Sequence, residues 1–278
     1  MATLSFYNEG KYNDGIYNLS ASGTGFFSVN MNGQNSYFAR SEFPKALGLA
    51  DEWTISFWVN LDQNKEGTVI FQTTAEKGQN AIQLTIDPLE NVIANNSFIP
   101  PAFSNLITLL KGPDGTIIEH VKWEEFIHED LWTHGAVTYS GGDIRAYVFG
   151  SPMTSGVIFT QTSGTVGMTD DPPRKIFYGS TAEGTIATIS GAIGHLATWS
   201  TALSQEEIQE IADDGFPLDL TTTSGNYTSN ASLRMYYRPG EDELEMGRDY
   251  SGNDLGLPDI KNVTVDDRDF DVPDAGGL

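Results

Sequence analysis

Apolar and polar residues alternate along many short segments of this chain, most clearly between Trp53 and Leu61. Every second position from Ile55 to Leu61 is apolar, and the positions between them are polar apart from Trp58. A period of two is that of a β-strand with one face in a core. The same pattern recurs at 67–73 and 81–86.

Turn residues separate the other predicted strands. The glycines of Ser140-Gly141-Gly142-Asp143 can adopt the positive φ that a tight hairpin requires. The segment 123–131 is interpreted as a loop or a short helical turn. Further strands are predicted as two or three pieces within 3–40, as a hairpin at 106–110 and 116–120, on both sides of the turn within 132–149, and at 156–161, 175–179, 186–190, 192–199 and 233–237.

One helix is predicted after Ser204, which begins a Ser-Gln-Glu-Glu capping box. The Ser204 hydroxyl can accept a hydrogen bond from the Glu207 amide, and Leu203 and Ile208 can form a hydrophobic staple across it. Gly215 is placed to end the helix. Many short strands, one late helix and no internal repeat predict an all-β sandwich.

Composition fits this class. A chain of 278 residues buries about three quarters of its unfolded surface, so its stability does not require disulfides, and the chain has no cysteine. The net charge of −23 excludes a nucleic-acid backbone as a partner. The first residues have neither the basic nor the apolar region of a secretory signal, and no apolar run is long enough to span a membrane.

Three segments, in order, resemble the laminin-G/pentraxin group of concanavalin A-like jelly rolls. They are 51–59, 131–150 and 191–208, which read DEWTISFWV, LWTHGAVTYSGGDIRAYVFG and GAIGHLATWSTALSQEEI. The resemblance implies two antiparallel sheets over 1–240, with an insertion at about 95–127 and an acidic extension or arm at 241–278. Phe149 departs from the family pattern, which often has Asp there. The family-motif residues are Trp53, Phe57, Trp58, Trp132, His134, Tyr147, Gly150 and Trp199.

Catalytic chemistry is not indicated. Retaining glycoside hydrolysis needs two carboxylates about 5 Å apart, which on one strand face are spaced at i and i+2 or i+4. Glu124 and Glu125 are adjacent, and the alternating acids at 241, 243 and 245 lie in a segment with little strand character. His134 and His195 are interpreted as hydrogen-bonded packing residues.

Calcium is the most plausible cofactor, because the chain offers hard oxygen ligands and no thiolates. Asp249, Asn253 and Asp254 belong to a D-x-S-G-N segment that resembles one found in many laminin-G-like domains. These residues are candidate ligands, and an Asx-turn explains the same composition without a metal. Trp123, in the predicted insertion, is the candidate for stacking on a ligand.

The resemblance favours a non-enzymatic module that binds or assembles. We expect a phage-type virion surface protein, a capsid decoration or fibre component, folded in the host cytoplasm and bound to other structural subunits and to host glycans. The alternatives are an extracellular calcium-dependent lectin and, less favoured, a polysaccharide-cleaving enzyme of the same architecture.

Overall fold

The fold is taken from a computed structural model of the chain. The structure describes residues 28–32, 36–43, 45–62, 68–73, 81–88, 92–94, 97–99, 103–111, 117–128, 132–153, 156–161, 174–180, 189–212, 218–239, 246–261 and 263–265.

The described residues form eighteen strands, one α-helix and one 3₁₀ turn. The strands are β1 (Val29–Asn32), β2 (Tyr37–Glu42), β3 (Glu52–Leu61), β4 (Val69–Thr73), β5 (Ala81–Pro88), β6 (Val92–Ala94), β7 (Ser97–Ile99), β8 (Phe103–Lys111), β9 (Ile117–His128), β10 (Thr133–Ser140), β11 (Asp143–Val148), β12 (Ser151–Pro152), β13 (Gly156–Gln161), β14 (Arg174–Tyr178), β15 (Ser190–Trp199), β16 (Leu233–Tyr237), β17 (Asp259–Lys261) and β18 (Val263–Val265). The helix α1 is Gln205–Ala212, and the 3₁₀ turn is Ser229–Ser232.

Two antiparallel sheets of eight strands confirm the predicted β-sandwich. Sheet I has the order β12-β11-β10-β3-β15-β1-β18, and β16 also pairs with β15. Sheet II has the order β13-β9-β8-β5-β4-β14-β2-β17. The short strands β6 and β7 pair only with each other within the described part of the chain.

The main core lies between the sheets. On β3, the alternation places Ile55, Phe57, Val59 and Leu61 inward, and all are fully buried. Tyr178 reaches across from sheet II and donates its hydroxyl to the carbonyl of Gly194 in sheet I, 3.2 Å away. Facing apolar side chains therefore hold the sheets together, in the way that sandwiches are stabilised.

The predicted hairpin and helix are both confirmed. Gly141 and Gly142 have φ of 60° and 91° at the turn between β10 and β11, where a side chain would be strained. The Ser204 hydroxyl accepts from the Glu207 amide at 3.2 Å, and the Glu207 carboxylate accepts from the Ser204 amide at 3.1 Å. These reciprocal bonds form the capping box at the start of α1.

The segment 123–131 is not a loop or a helical turn where the structure describes it. Residues 123–128 continue β9, which pairs with β8 from Phe103 to Lys111. The mixed polarity of Trp123–His128 misled the prediction, because β9 contains a bulge that shifts its register. The hairpin predicted on either side of residues 112–115 is confirmed, and it lies within sheet II.

The C-terminal strands join both sheets at one edge. β17 pairs with β2 of sheet II, and β18 pairs with β1 of sheet I. A single residue separates these two strands, so the chain crosses from one sheet to the other there. Strands β17 and β18 are thus part of the sandwich. The Asp-rich last dozen residues of the extension predicted at 241–278 lie outside the described residues.

Candidate functional site

The outer faces of the two sheets differ in what packs on them. On sheet I, α1 and the segment 218–232 form a second hydrophobic cluster with the strands beneath. Leu203, Ile208 and Ile211 contribute from the helix side, which confirms the predicted apolar face. Trp199 donates its indole N–H to the Tyr227 hydroxyl at 3.0 Å inside this cluster. This part of sheet I is therefore closed to a ligand.

Ser56 and His134 lie on the covered face of sheet I. The Ser56 hydroxyl is 2.8 Å from Nε2 of His134, and the imidazole contacts the ring of Trp58 at 5.2 Å between centroids. Burial lowers the pKa of His134 to about 3, so the imidazole is neutral at ordinary pH. A serine beside a histidine is the start of a nucleophile–base pair. Here both side chains are buried, and a substrate cannot reach them.

His195 occupies a similar position on β15. Its Nδ1 is 3.1 Å from the Tyr236 hydroxyl, which also donates to the carbonyl of Leu218. Burial lowers the pKa of His195 well below its usual value, and the nearby positive charge of Arg238 lowers it further. This histidine connects β15, β16 and the covering segment, which is a packing arrangement.

The remaining aromatic residues of the family motif are buried in hydrophobic clusters. Trp53 and Phe57 point into the main core, where Trp53 stacks on Tyr139 at 5.6 Å. Trp132 packs with Trp58 in a small separate cluster, and Tyr147 lies under the cover of sheet I.

Gly150 has a positive φ of 74° and lies against α1. A Cβ there would come within 2.4 Å of the Gln209 Cα, so glycine is required for the contact.

The candidate calcium ligands form a tightly bonded loop. Oδ1 of Asp249 accepts from the amides of Tyr236 and Ser251, and Oδ2 accepts from the Ser251 hydroxyl and the Leu255 amide, at 2.8 to 2.9 Å. Asn253 donates its side-chain amide to the carbonyls of Leu233 and Arg234. Asp254 is exposed with φ of 57°. The bond from the Ser251 amide is that of an Asx-turn, and the other bonds tie the loop to β16 and to Leu255. No group of three or more acidic or histidine side chains within the described ranges is arranged to hold a metal ion.

Trp123 lies in the main core rather than at a surface. It is 7% exposed, and its indole N–H donates to the Thr108 hydroxyl at 3.3 Å. The side chains of Glu124 and Glu125 and the whole of residues 241–245 lie outside what the structure describes. Among the candidates whose side chains are described, Trp123 belongs to the main core and Asp249 to a separately bonded loop.

A continuous row of positions crosses the outer face of sheet II. Cross-strand pairing joins Thr160, His120, Leu109, Gln83, Gln72, Phe177, Ala39 and Asp259, one position from each of the eight strands. No hydrophobic cluster among the described residues covers this row. Ala39 and Phe177 are nevertheless buried, with 0% and 2% of their surface exposed, so this face is covered at those two positions. The accessible side chains beside them, Tyr37, Lys175 and Lys261, form the candidate binding surface.

Two aromatic rings and two lysines lie together on this face, on strands β14, β2 and β17 at one edge of sheet II. Tyr37 meets Phe177 edge to face, with ring centroids 5.6 Å apart. The ammonium of Lys175 lies 5.2 Å from the Phe177 centroid, and that of Lys261 lies 5.9 Å from the Tyr37 centroid. Tyr37 is half-buried, so its ring presents an apolar surface beside a hydroxyl. We refer to Tyr37, Phe177, Lys175 and Lys261 as the aromatic–lysine cluster.

Two glutamine amides lie beside this cluster. Gln72 pairs with Phe177 on one side and with Gln83 on the other, and both glutamines are half-buried. The buried Oε1 of Gln72 accepts no hydrogen bond within the described residues. Because this oxygen is itself buried, a ligand can contact only the exposed remainder of the two glutamine side chains.

The sequence did not single out these residues. Tyr37, Gln72 and Phe177 come from three strands far apart in the chain, and only the pairing of β2, β14 and β4 brings them together. β14 gives no local signal either, because Ile176, Phe177 and Tyr178 are consecutive and all buried. A run of this kind is typical of a strand covered on both faces and does not show which face binds.

Comparison with known proteins identifies the superfamily to which the fold belongs. The sequence model of the concanavalin A-like lectin/glucanases superfamily matches residues 32–209. No curated protein matches the chain significantly. A solved structure from Bacteroides ovatus, of a protein assigned to carbohydrate binding, is similar with 16% identity and a TM-score of 0.54 over 87% of this chain. The chain spans 61% of the length of that protein.

Two further solved structures resemble the chain at lower similarity. The heptameric SAP-like pentraxin of Limulus polyphemus has 13% identity and a TM-score of 0.41, over 89% of this chain and 88% of its own. The enzymatically active domain of tailspike protein 2 from bacteriophage CBA120 has 9% identity and a TM-score of 0.47, over 76% of this chain and 34% of its own. No helix in the described ranges is long and apolar enough to cross a membrane.

Proposed function

We propose that this chain, which belongs to the concanavalin A-like lectin/glucanase superfamily, is a non-enzymatic binding module that recognises carbohydrate on the outer face of sheet II. The observation that carries the proposal is the half-buried Tyr37 ring, which rests against the buried Phe177 and has the ammonium groups of Lys175 and Lys261 beside it. A sugar presents both apolar C–H faces and hydroxyls. A half-buried tyrosine and an amide offer the complementary surfaces.

The burial pattern supports the choice of face. On sheet I, His134 is bonded to Ser56 and His195 to Tyr236. Because these side chains are also buried, a substrate cannot reach them. The acidic pairs considered for hydrolysis lie where the structure describes no side chain. The catalytic alternative is tested by incubating the protein with polysaccharides and measuring new reducing ends. Their release would contradict a non-enzymatic role.

A glycan array followed by titration calorimetry tests the binding face. Tyr37→Ala should weaken binding of the strongest array ligand by about 2 kcal/mol, close to thirtyfold in Kd, as expected for an aromatic at the centre of an interface. Phe43→Ala is the matched control, because Phe43 is 44% exposed and lies beyond the other end of β2. Equal binding by both variants and the parent would place the ligand elsewhere.

The calcium-dependent lectin is a second candidate, favoured only by the oxygen-rich loop around Asp249. Repeating the array with a chelator separates it from the main proposal. Binding through the aromatic–lysine cluster should survive chelation. Binding that disappears with chelator and with Asp249→Asn would support the calcium site instead.

We further propose that the module acts at the surface of a phage-type virion, assembled with other structural subunits. The edge strands β17 and β18 support assembly, because edge strands present backbone groups that can pair with a neighbouring chain. Both lie in the C-terminal region, beside the most acidic part of the sequence. Purified particles from the source should contain the chain. A chain that associates with no particle would contradict the virion role and leave carbohydrate recognition standing.

A further inference from the structure

We infer that the carbohydrate recognised by the outer face of sheet II carries carboxylate groups, as uronic or sialic acid units do. This inference rests on the proposed function and specifies its ligand. It follows from the distribution of positive charge over a protein whose net charge is −23.

Lysines are concentrated on the candidate face. Side chains are described for four of the lysines, and three of these, Lys122, Lys175 and Lys261, lie on the outer face of sheet II. The fourth, Lys45, lies in the turn between β2 and β3. The only carboxylate among the described side chains of that face is Asp259.

The covered side of sheet I has the opposite character. Its covering segments, 200–212 and 218–232, contain four acidic residues and no basic residue. The positive charge on sheet II is therefore a local departure from the acidic surface. At physiological salt, charges more than about 8 Å apart are largely screened, so a ligand at the face responds mainly to the nearby lysines.

The geometry places the two ammonium groups around the aromatic pair. Lys175 lies over Phe177, Lys261 lies over Tyr37, and the two rings touch. A sugar ring resting on Tyr37 would thus have cationic groups next to it. A carboxylate on that ring can accept charge-assisted hydrogen bonds from either lysine, and these are stronger than bonds to a neutral group.

The existing ion pair does not prevent such an exchange. Lys175 is 3.3 Å from Asp259, with side-chain exposures of 39% and 57%. Exposed pairs of this kind are weak, because water and salt screen them. A ligand carboxylate can therefore replace Asp259 as the partner of Lys175, and Lys261 can leave the Tyr37 ring for the same ligand.

The test compares each acidic glycan with its own methyl ester. Uronate oligosaccharides and sialosides are titrated at 0.15 M salt beside the esters, which keep the sugar and remove the charge. We expect the acid to bind about tenfold more tightly. We expect Lys175→Gln and Lys261→Gln each to lose about three- to tenfold for the acid alone. Lys45→Gln is the matched control and should leave both affinities unchanged.

The possible results distinguish a failure of this inference from a failure of the proposed carbohydrate binding. Equal binding of acid and ester, still weakened by Tyr37→Ala, would overturn the inference and leave carbohydrate recognition at this face intact. A preference for the acid that survives both lysine substitutions would also overturn it, because the charge would be recognised elsewhere. Binding to no glycan, acidic or neutral, would overturn the proposed function and the inference together.

Discussion

Replacing His134 with glutamine should make the fold less sensitive to mild acid. Burial lowers the pKa of His134 to about 3, from an ordinary value of 6.5. Below pH 6.5 the unfolded chain therefore binds a proton that the folded chain does not bind. Stability must then fall as the pH falls from 6.5 towards 3, by about 1.4 kcal/mol for each pH unit. Between pH 7.5 and pH 5.0 the expected loss from this one group is about 2 kcal/mol.

Urea unfolding followed by tryptophan fluorescence measures the effect. His134→Gln keeps a polar group near the Ser56 hydroxyl but cannot titrate, so its free energy of unfolding should change less between the two pH values than that of the parent. His195 is present in both proteins, and its contribution cancels in the comparison. Glu42 and Glu207 have lowered pKa values and lose their stabilising contribution only at more acidic pH. Identical pH dependence in parent and variant would refute the assignment of His134 as buried and neutral.

Other substitutions test the packing that closes sheet I and the loop that follows it. Gly150→Ala should destabilise the fold by more than 2 kcal/mol, since it adds an overlap with the backbone of Gln209 to the cost of a positive φ, whereas Gly141→Ala has open space and should lose only about 1 kcal/mol. Equal losses in thermal unfolding would show that α1 does not press on Gly150. Asp249→Ala should cost about 3 kcal/mol with or without chelator, because the carboxylate is held by backbone and hydroxyl donors. A chelator that destabilises the parent but not this variant would show a bound metal instead.

Sequence patterns correctly predicted those strands and helix ends that depend on interactions between residues close together in the chain. The alternation around Phe57 and the capping box at Ser204 depend on neighbours a few residues away, and both appear as expected. The sequence predicts that Trp58 packs in the core because it lies in one of the strongest strands, and it is buried, but on the opposite face from the rest of its strand's apolar residues. It lies on the outer face of sheet I and is covered only because other parts of the chain pack there.

The candidate site was beyond prediction for a related reason. Tyr37, Gln72 and Phe177 become neighbours only when β2, β14 and β4 pair in one register, and no sequence motif spans them. Trp123 shows the converse error. An isolated tryptophan in an irregular segment resembled an exposed ligand platform, but its strand lies inside sheet II and directs the ring into the core.

Oxidative footprinting with a bound glycan tests the central claim most directly. The ligand with the highest affinity on the array is added, and side-chain oxidation is compared with that of the unbound protein. Recognition on the outer face of sheet II predicts that Tyr37 becomes protected, while Phe43 and Phe149, both exposed elsewhere, react as before. Protection of Phe149 or Tyr250 on the side of sheet I, with Tyr37 unchanged, would contradict the account.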